Sequence, residues 1–198
     1  MYGRSLLFLT VLVFMEVHDV WAQSYRNAVQ VPPVEVYQSM LNFVDRKDYA
    51  KVVGSLNILA PVVNHITVKF TDNPTEGIKK AVDKGNPDEI LLSVQTLIIL
   101  DMKDLLDEAL KQVEQSPDAS KTMVKTARLN YELLSSYVQK KDFATDQKIK
   151  KNFTDSFRLL GSESVYSADK TRVNTGELRR LWVEIVFNLS KIFMLKGS

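Results

Sequence analysis

"YQSMLNFVDRKDYA" at residues 37–50 and "YELLSSYVQKKDFA" at residues 131–144 are two versions of one segment in a chain of 198 residues. Five of the fourteen positions in these two segments are identical, namely Tyr37/Tyr131, Val44/Val138, Lys47/Lys141, Asp48/Asp142 and Ala50/Ala144. Beyond the two segments, apolar residues at helical spacings of four and three also occupy matching places in both copies. The repetition therefore predicts a duplicated helical unit.

A second pair of matching segments follows in the same order, "NPDEI" at residues 86–90 and "NTGEL" at residues 174–178. In both, an Asn precedes a Glu by three positions, which favours a helix N-cap because the Asn oxygen accepts a hydrogen bond from an unpaired backbone amide. Pro87 suits the first helical position, where a missing N–H costs nothing. The two pairs divide the chain into one half at about residues 34–115 and another at about residues 117–198.

The few breakers in the chain, seven Gly and six Pro, favour long helices over frequent turns. "ILLSVQTLIIL" at residues 90–100 is apolar on almost every side, which predicts a buried helix. We expect an all-α fold in which four main helices from the two halves form one antiparallel bundle. The predicted helices cover residues 34–45, 47–69 with a bend near Pro61, 75–84, 87–114, 117–140, 143–160 and 175–195, with a loop at 161–174.

The N-terminus has the pattern of a secretory signal peptide. Arg4 precedes an apolar run at residues 6–15, and "VWA" at residues 20–22 supplies small residues where a signal peptidase reads them. The apolar run is shorter than the roughly 20 residues that span a bilayer. We expect a cleaved signal peptide at residues 1–22, one helical domain at residues 23–198, and export to a periplasm or the cell exterior.

The chain contains no cysteine. Disulfides, thiolate metal sites and cysteine nucleophiles are therefore excluded. A protein without thiols is also suited to an oxidising compartment, because it has nothing to mispair there.

The two halves differ in charge. Residues 23–115 carry 10 basic and 13 acidic groups, whereas residues 116–198 carry 15 basic and 9 acidic groups. This polarity favours a protein partner or a second copy of the chain, and it is too weak for a nucleic-acid-binding surface. A solvated helix face is the simplest interpretation of the basic cluster in the second half, with peripheral membrane contact as an alternative. That cluster consists of Lys140, Lys141, Lys148, Lys150, Lys151 and Arg158.

His65 is the only imidazole downstream of the predicted signal peptide. It could serve as an axial haem ligand inside a helical bundle, with Tyr37 and Tyr131 lining a cleft between the halves. The alternative hypothesis is therefore a carrier of a small apolar or tetrapyrrole ligand. The preferred interpretation is that both tyrosines belong to the core and that His65 hydrogen-bonds locally, so no cofactor is predicted.

Four carboxylates lie near the end of the long central helix, and three of them share one side at spacings of three and four. Such a cluster could bind Ca²⁺ or Mg²⁺. Lysines are interspersed among its members, however, which favours a solvated face of mixed charge, and we predict no metal site. The cluster consists of Asp101, Asp104, Asp107 and Glu108.

Catalytic motifs are also lacking. The sequence contains no phosphate-binding loop, no nucleophile elbow and no zinc-protease helix. We therefore expect a protein without enzymatic activity.

The last predicted helix carries more apolar surface than one core face requires, because Val183, Phe187 and Met194 fall outside its main apolar stripe. We expect this helix to contact a protein partner or a second copy of the chain. The predicted function is an exported, non-catalytic accessory subunit. Its predicted partner-binding residues are Arg179, Arg180, Trp182, Val183, Phe187 and Met194.

Overall fold

The computed structural model describes residues 31–70, 73–161 and 173–194. The expected all-α fold is confirmed for these ranges, which contain no β-strand. Their eight helices are α1 (Pro33–Asp45), α2 (Tyr49–Ile58), α3 (Ala60–Phe70), α4 (Pro74–Lys84), α5 (Pro87–Gln112), α6 (Pro117–Lys141), α7 (Phe143–Leu159) and α8 (Thr175–Phe193). The predicted signal peptide and most of the predicted loop at residues 161–174 lie outside the described residues.

The bend expected near Pro61 is a complete break between α2 and α3. The two helices meet near Leu59 at an angle of 81°. Pro61 is the second residue of α3, where its missing N–H removes no helical hydrogen bond. Because of this break, α2 packs against α1 while α3 packs against α5.

No single helix of the described residues is both long enough and apolar enough to cross a bilayer. The bent pair formed by α2 and α3 meets the length and composition criteria only when its two helices are taken together.

The side chains that cap helices include the two predicted caps, Asn86 and Asn174, and also Asp48 and Asp142. The Asn86 side chain accepts hydrogen bonds from the amides of Asp88 and Glu89, and Asn174 accepts one from Glu177. In the same way, Asp48 caps α2 and Asp142 caps α7. The predicted N-caps are therefore confirmed.

Helix α5 lies at the centre of the described structure and contacts α1, α3, α4, α6 and α8. Its most extensive contact is with α6, and two cross-links give the direction of that pair. Ser120 Oγ donates to the Ala109 carbonyl at 2.8 Å, and Asn130 Nδ2 donates to Asp101 Oδ2 at 2.8 Å. Since residue numbers rise along one helix as they fall along the other, α5 and α6 are antiparallel.

Helix α8 returns to this centre, where it packs against α5, α6 and α7. Its predicted apolar stripe is buried, including Leu178, Ile185 and Phe193. The indole Nε1 of Trp182 donates to Ser156 Oγ at 2.9 Å, which fastens α8 to α7. The return of α8 onto α5 creates a groove between the two helices.

Candidate functional site

The groove lies between two antiparallel helices. The end of α5 and the start of α8 line one common hollow, which includes Lys111, Gly176 and Arg179. The C-terminal end of α5 is thus adjacent to the N-terminal start of α8, so the two helices run in opposite directions.

The groove encloses about 510 Å³. Each helix contributes residues at helical spacing, so that an inner row forms the floor and an outer row forms a rim. The floor consists of Leu106 and Leu110 from α5 and of Trp182 and Val186 from α8. The α5 rim consists of Lys103, Asp107 and Lys111. The α8 rim, on the other side of the groove, consists of Arg179, Val183 and Phe187. Lys69, at the end of α3, completes the lining. The groove is therefore apolar at its base, and its rims combine three cations with one carboxylate and two apolar side chains.

The α8 rim presents large apolar side chains to solvent. Val183 is 63% exposed and Phe187 is 55% exposed, whereas Trp182 is almost completely buried. The ammonium group of Lys191 lies 5.6 Å from the centre of the Phe187 ring. Trp182 therefore anchors the groove floor to the core, while Val183 and Phe187 are available for contact with another molecule.

Lys69 is held by two carboxylates of α5. Its Nζ lies 2.7 Å from Asp104 Oδ1 and 3.0 Å from Glu108 Oε1. Lys111 binds the same oxygen of Glu108 at 2.8 Å. Two of the four cations that line the groove are therefore already neutralised within the chain.

Electrostatics favour the charged form of this cluster. Burial acts to lower the pKa of Lys69, but its hydrogen bonds to Asp104 and Glu108 outweigh burial and raise that pKa above its ordinary value. Burial likewise acts to raise the pKa of Glu108, yet the hydrogen bonds from Lys111 and Lys69 hold that pKa below its ordinary value. Each charged group therefore stabilises the ionised form of the other.

Asp107 behaves differently, because burial raises its pKa above the ordinary value despite the opposing effect of Lys69 and Lys103. Its Oδ2 is 3.8 Å from Lys69 Nζ. Among the residues that the structure describes, Asp107 is the one carboxylate that lines the groove.

The interpretation of the α5 carboxylates as a solvated face was wrong. Asp101 and Asp104 are completely buried and Glu108 is almost so. Helix α5 is covered on most sides, so its polar side chains turn inward and are paired there, Asp101 with Asn130 of α6 and Asp104 with Lys69 of α3. Within the described ranges, no three acidic or imidazole side chains are grouped so as to hold a metal ion.

His65 contacts the same cluster. Its Nε2 lies 3.1 Å from Asp104 Oδ1, a partner 39 positions away on another helix. The hydrogen bond of His65 is thus a tertiary contact between α3 and α5, whereas the sequence predicted a local one.

Tyr37 and Tyr131 are both completely buried in the hydrophobic core. The Tyr131 hydroxyl donates to Asp146 Oδ1 at 2.6 Å, and its ring packs 5.9 Å from that of Phe153. Burial and the hydrogen bond to Asp146 both raise the pKa of Tyr131, so the hydroxyl remains a donor. Tyr131 thus joins α6 to α7, while His65 joins α3 to α5, and the two take part in separate contacts.

Four of the six predicted partner-binding residues line the groove, namely Arg179, Trp182, Val183 and Phe187. Arg180 does not line the groove itself but lines an adjoining hollow with Val183 and Phe187, and it is paired with Glu177 at 2.7 Å. Met194 follows the last turn of α8 and is 87% exposed.

The sequence did not identify the opposite wall of the groove, formed by α5, or the contribution of Lys69. The spacing of four between Lys103, Asp107 and Lys111 was visible and placed them on one face of a helix. Nothing in that spacing indicated that α8 would lie beside them.

No known protein family, curated protein or solved structure shows significant similarity to this chain.

Proposed function

We propose that this protein is an exported, non-catalytic accessory subunit that binds an amphipathic helix of another protein in the groove between α5 and α8. The exposed apolar rim formed by Val183 and Phe187 carries this proposal. Amphipathic helices are commonly recognised by laying their apolar face into a groove of this kind.

The openness of the groove favours a macromolecule over a small ligand. Small-molecule sites usually bury roughly 70–90% of the ligand surface. Here the α8 wall of the groove is open, because Val183 and Phe187 are each more than half exposed. A helix can cover such an open wall and also contact the charged rims on both sides.

The second candidate function is a carrier of a small apolar molecule, and the volume of the groove favours it. A cavity of about 510 Å³ falls within the usual range of ligand pockets. For this second candidate function, the ligand would bind in the groove beside Trp182 and not near Tyr37, Tyr131 and His65.

The proposed architecture is an antiparallel bundle of two related halves that follows a signal peptide at residues 1–22. Matched caps support the relation between the halves, because Asp48 and Asp142 occupy the same position within the repeated segment and each caps a helix. Asn86 and Asn174 are likewise the first residues of the second pair of matching segments, and each caps a helix.

A fluorescence titration tests the proposed function. The full chain with Trp21→Phe keeps Trp182 in the groove floor as its only indole. The probe is a synthetic amphipathic helix of about four turns with leucines on one face and glutamates beside them. We expect a saturable change in Trp182 emission, with Kd in about the micromolar range.

Two matched variants provide the control. Phe187→Asp should weaken peptide binding at least about tenfold, because it places a carboxylate on the apolar rim. Phe143→Asp alters a phenylalanine that is similarly exposed, 59% against 55%, but does not line the groove, and should bind normally. Equal loss in both variants, or no saturable change in the parent chain, would show that the groove is not the docking site.

A further inference from the structure

Two of the groove cations differ from Lys69 and Lys111 in their ion pairing. No ion pair between described side chains involves Lys103 or Arg179, in contrast to Lys69 and Lys111. Lys103 instead lies 4.9 Å from the centre of the Phe70 ring. Within the described part of the chain, these two side chains are therefore the groove cations least neutralised by carboxylates, although the charge of Lys103 also acts on Asp107.

Lys103 and Arg179 lie at opposite ends of the groove. Since α5 and α8 are antiparallel and Lys111 shares a hollow with Arg179, Lys103 lies toward the other end, beside Phe187. The eight positions that separate Lys103 from Lys111 correspond to roughly 12 Å along a helix. Asp107 lies midway between Lys103 and Lys111 on the α5 rim.

We infer that the docked helix carries two acidic residues about two turns apart, one recognised by Arg179 and the other by Lys103, with no acidic residue between them. This inference rests on the proposed function and specifies the chemistry of the partner. A carboxylate midway along the helix would face Asp107, and like charges at short range disfavour binding.

Arg179 should contribute more than Lys103 to this recognition. Its planar guanidinium can donate two parallel hydrogen bonds to one carboxylate, whereas an ammonium acts as a point charge. Arg179 also lines the two hollows adjoining the groove, so its side chain can approach a partner from several directions.

Two peptides of identical composition test the inference. The first has one glutamate near each end of the apolar face and glutamine in the middle, and the second has both glutamates in the middle. We expect the first peptide to bind the full chain about three- to tenfold more tightly, because only it avoids Asp107 and reaches both cations.

A double-mutant cycle then locates the contact. Arg179→Gln should weaken binding of the first peptide about three- to fivefold. It should not change the binding of a peptide in which glutamine replaces both of the glutamates near the ends. Arg180→Gln removes the same formal charge from a neighbouring arginine that is already paired with Glu177, and should change neither affinity. Equal affinity for the two peptides, or equal losses in both arginine variants, would overturn the inference.

The outcomes separate this inference from the proposed function. If both peptides bind equally and Phe187→Asp abolishes the binding of both, the groove is a docking site, but it does not require the inferred arrangement of two acidic residues on the docked helix. If neither peptide binds but laurate changes Trp182 emission in a manner that Phe187→Asp abolishes, the occupant is a free amphiphile and both proposals fail.

Discussion

Asp104 is completely buried on α5, and its carboxylate is balanced by two groups of α3, the Lys69 ammonium and the His65 imidazole. Charges of this kind cost several kcal/mol each when they are removed from water, and the cost is recovered only if every partner is present. Lys69 is therefore the residue on which the contact between α3 and α5 most depends.

Lys69→Met should destabilise the protein by about 2–4 kcal/mol, because it leaves Asp104 buried with fewer partners. Urea unfolding followed by circular dichroism measures the difference. Lys51→Met is the matched control, since Lys51 forms an exposed ion pair with Asp48 and should cost less than about 1 kcal/mol. Similar losses in the two variants would contradict the assigned role of Lys69.

The pH dependence of stability follows from the same residues. The pKa of Glu108 is lowered in the folded state, so its contribution is complete above the ordinary value of 4.5 and is lost as pH falls through the lowered pKa. The pKa of Lys69 is raised, so its contribution is complete below 10.5 and is lost as pH rises through the raised pKa.

The urea concentration at the midpoint of unfolding should therefore decrease less for Glu108→Gln than for the parent chain as the pH is lowered from neutral to about pH 3. The variant has no carboxylate at this position to protonate. An identical acid dependence in the two proteins would contradict the lowered pKa of Glu108.

At the scale of elements, α5 organises the described structure because five other helices pack against it. Its first residue follows Asn86, whose side-chain oxygen accepts from the Asp88 amide at 3.1 Å and the Glu89 amide at 3.3 Å. The Asn86 side-chain amide in turn donates to Glu89 Oε1. This cap fixes where α5 begins and hence the register of every contact along it.

Asn86→Ala should destabilise the protein by about 1 kcal/mol, the usual cost of losing an Asn N-cap. Asn64→Ala makes the same replacement at an exposed position inside α3, where alanine has the higher helix propensity. We expect Asn64→Ala to be neutral or slightly stabilising in thermal unfolding. A comparable loss there would indicate that the Asn86 cap has no special role.

At the scale of the whole molecule, the proposed docking groove depends on α8 returning to α5 across many intervening residues. Val68 and Phe143, which are also strongly exposed, lie on different helices. Val183 and Phe187, in contrast, share one wall of a groove whose floor is continuous with the core. This concentration of apolar surface is what a partner would cover.

The proposed export concerns the whole chain and predicts a specific mature product. If residues 1–22 form a signal peptide, the protein recovered from its native compartment should begin at Gln23, which N-terminal sequencing and intact mass determine. Ala22→Arg should block cleavage, because a large charged residue does not fit the peptidase site. A mature chain that retains Met1 would contradict export through this route.

The sequence by itself determined the helices and their ends. Asn86, Asn174 and Asp142 were predictable as helix starts because capping depends on residues within one turn of one another. A bend near Pro61 and the burial of most of residues 90–100, where Leu92 is exposed, were predictable for the same reason, since both follow from local composition.

Only the tertiary structure decided which helix faces meet. The carboxylates of α5 show the same spacing whether they face solvent or Lys69, because periodicity assigns residues to a face but does not identify the neighbouring helix. The α8 wall of the groove was predictable from its excess of apolar residues. The contribution of Lys103, Asp107 and Lys69 to the opposite side was not predictable, because periodicity does not identify the neighbouring helix. Contacts between distant segments depend on the packing of the whole chain, which one-dimensional spacing does not contain.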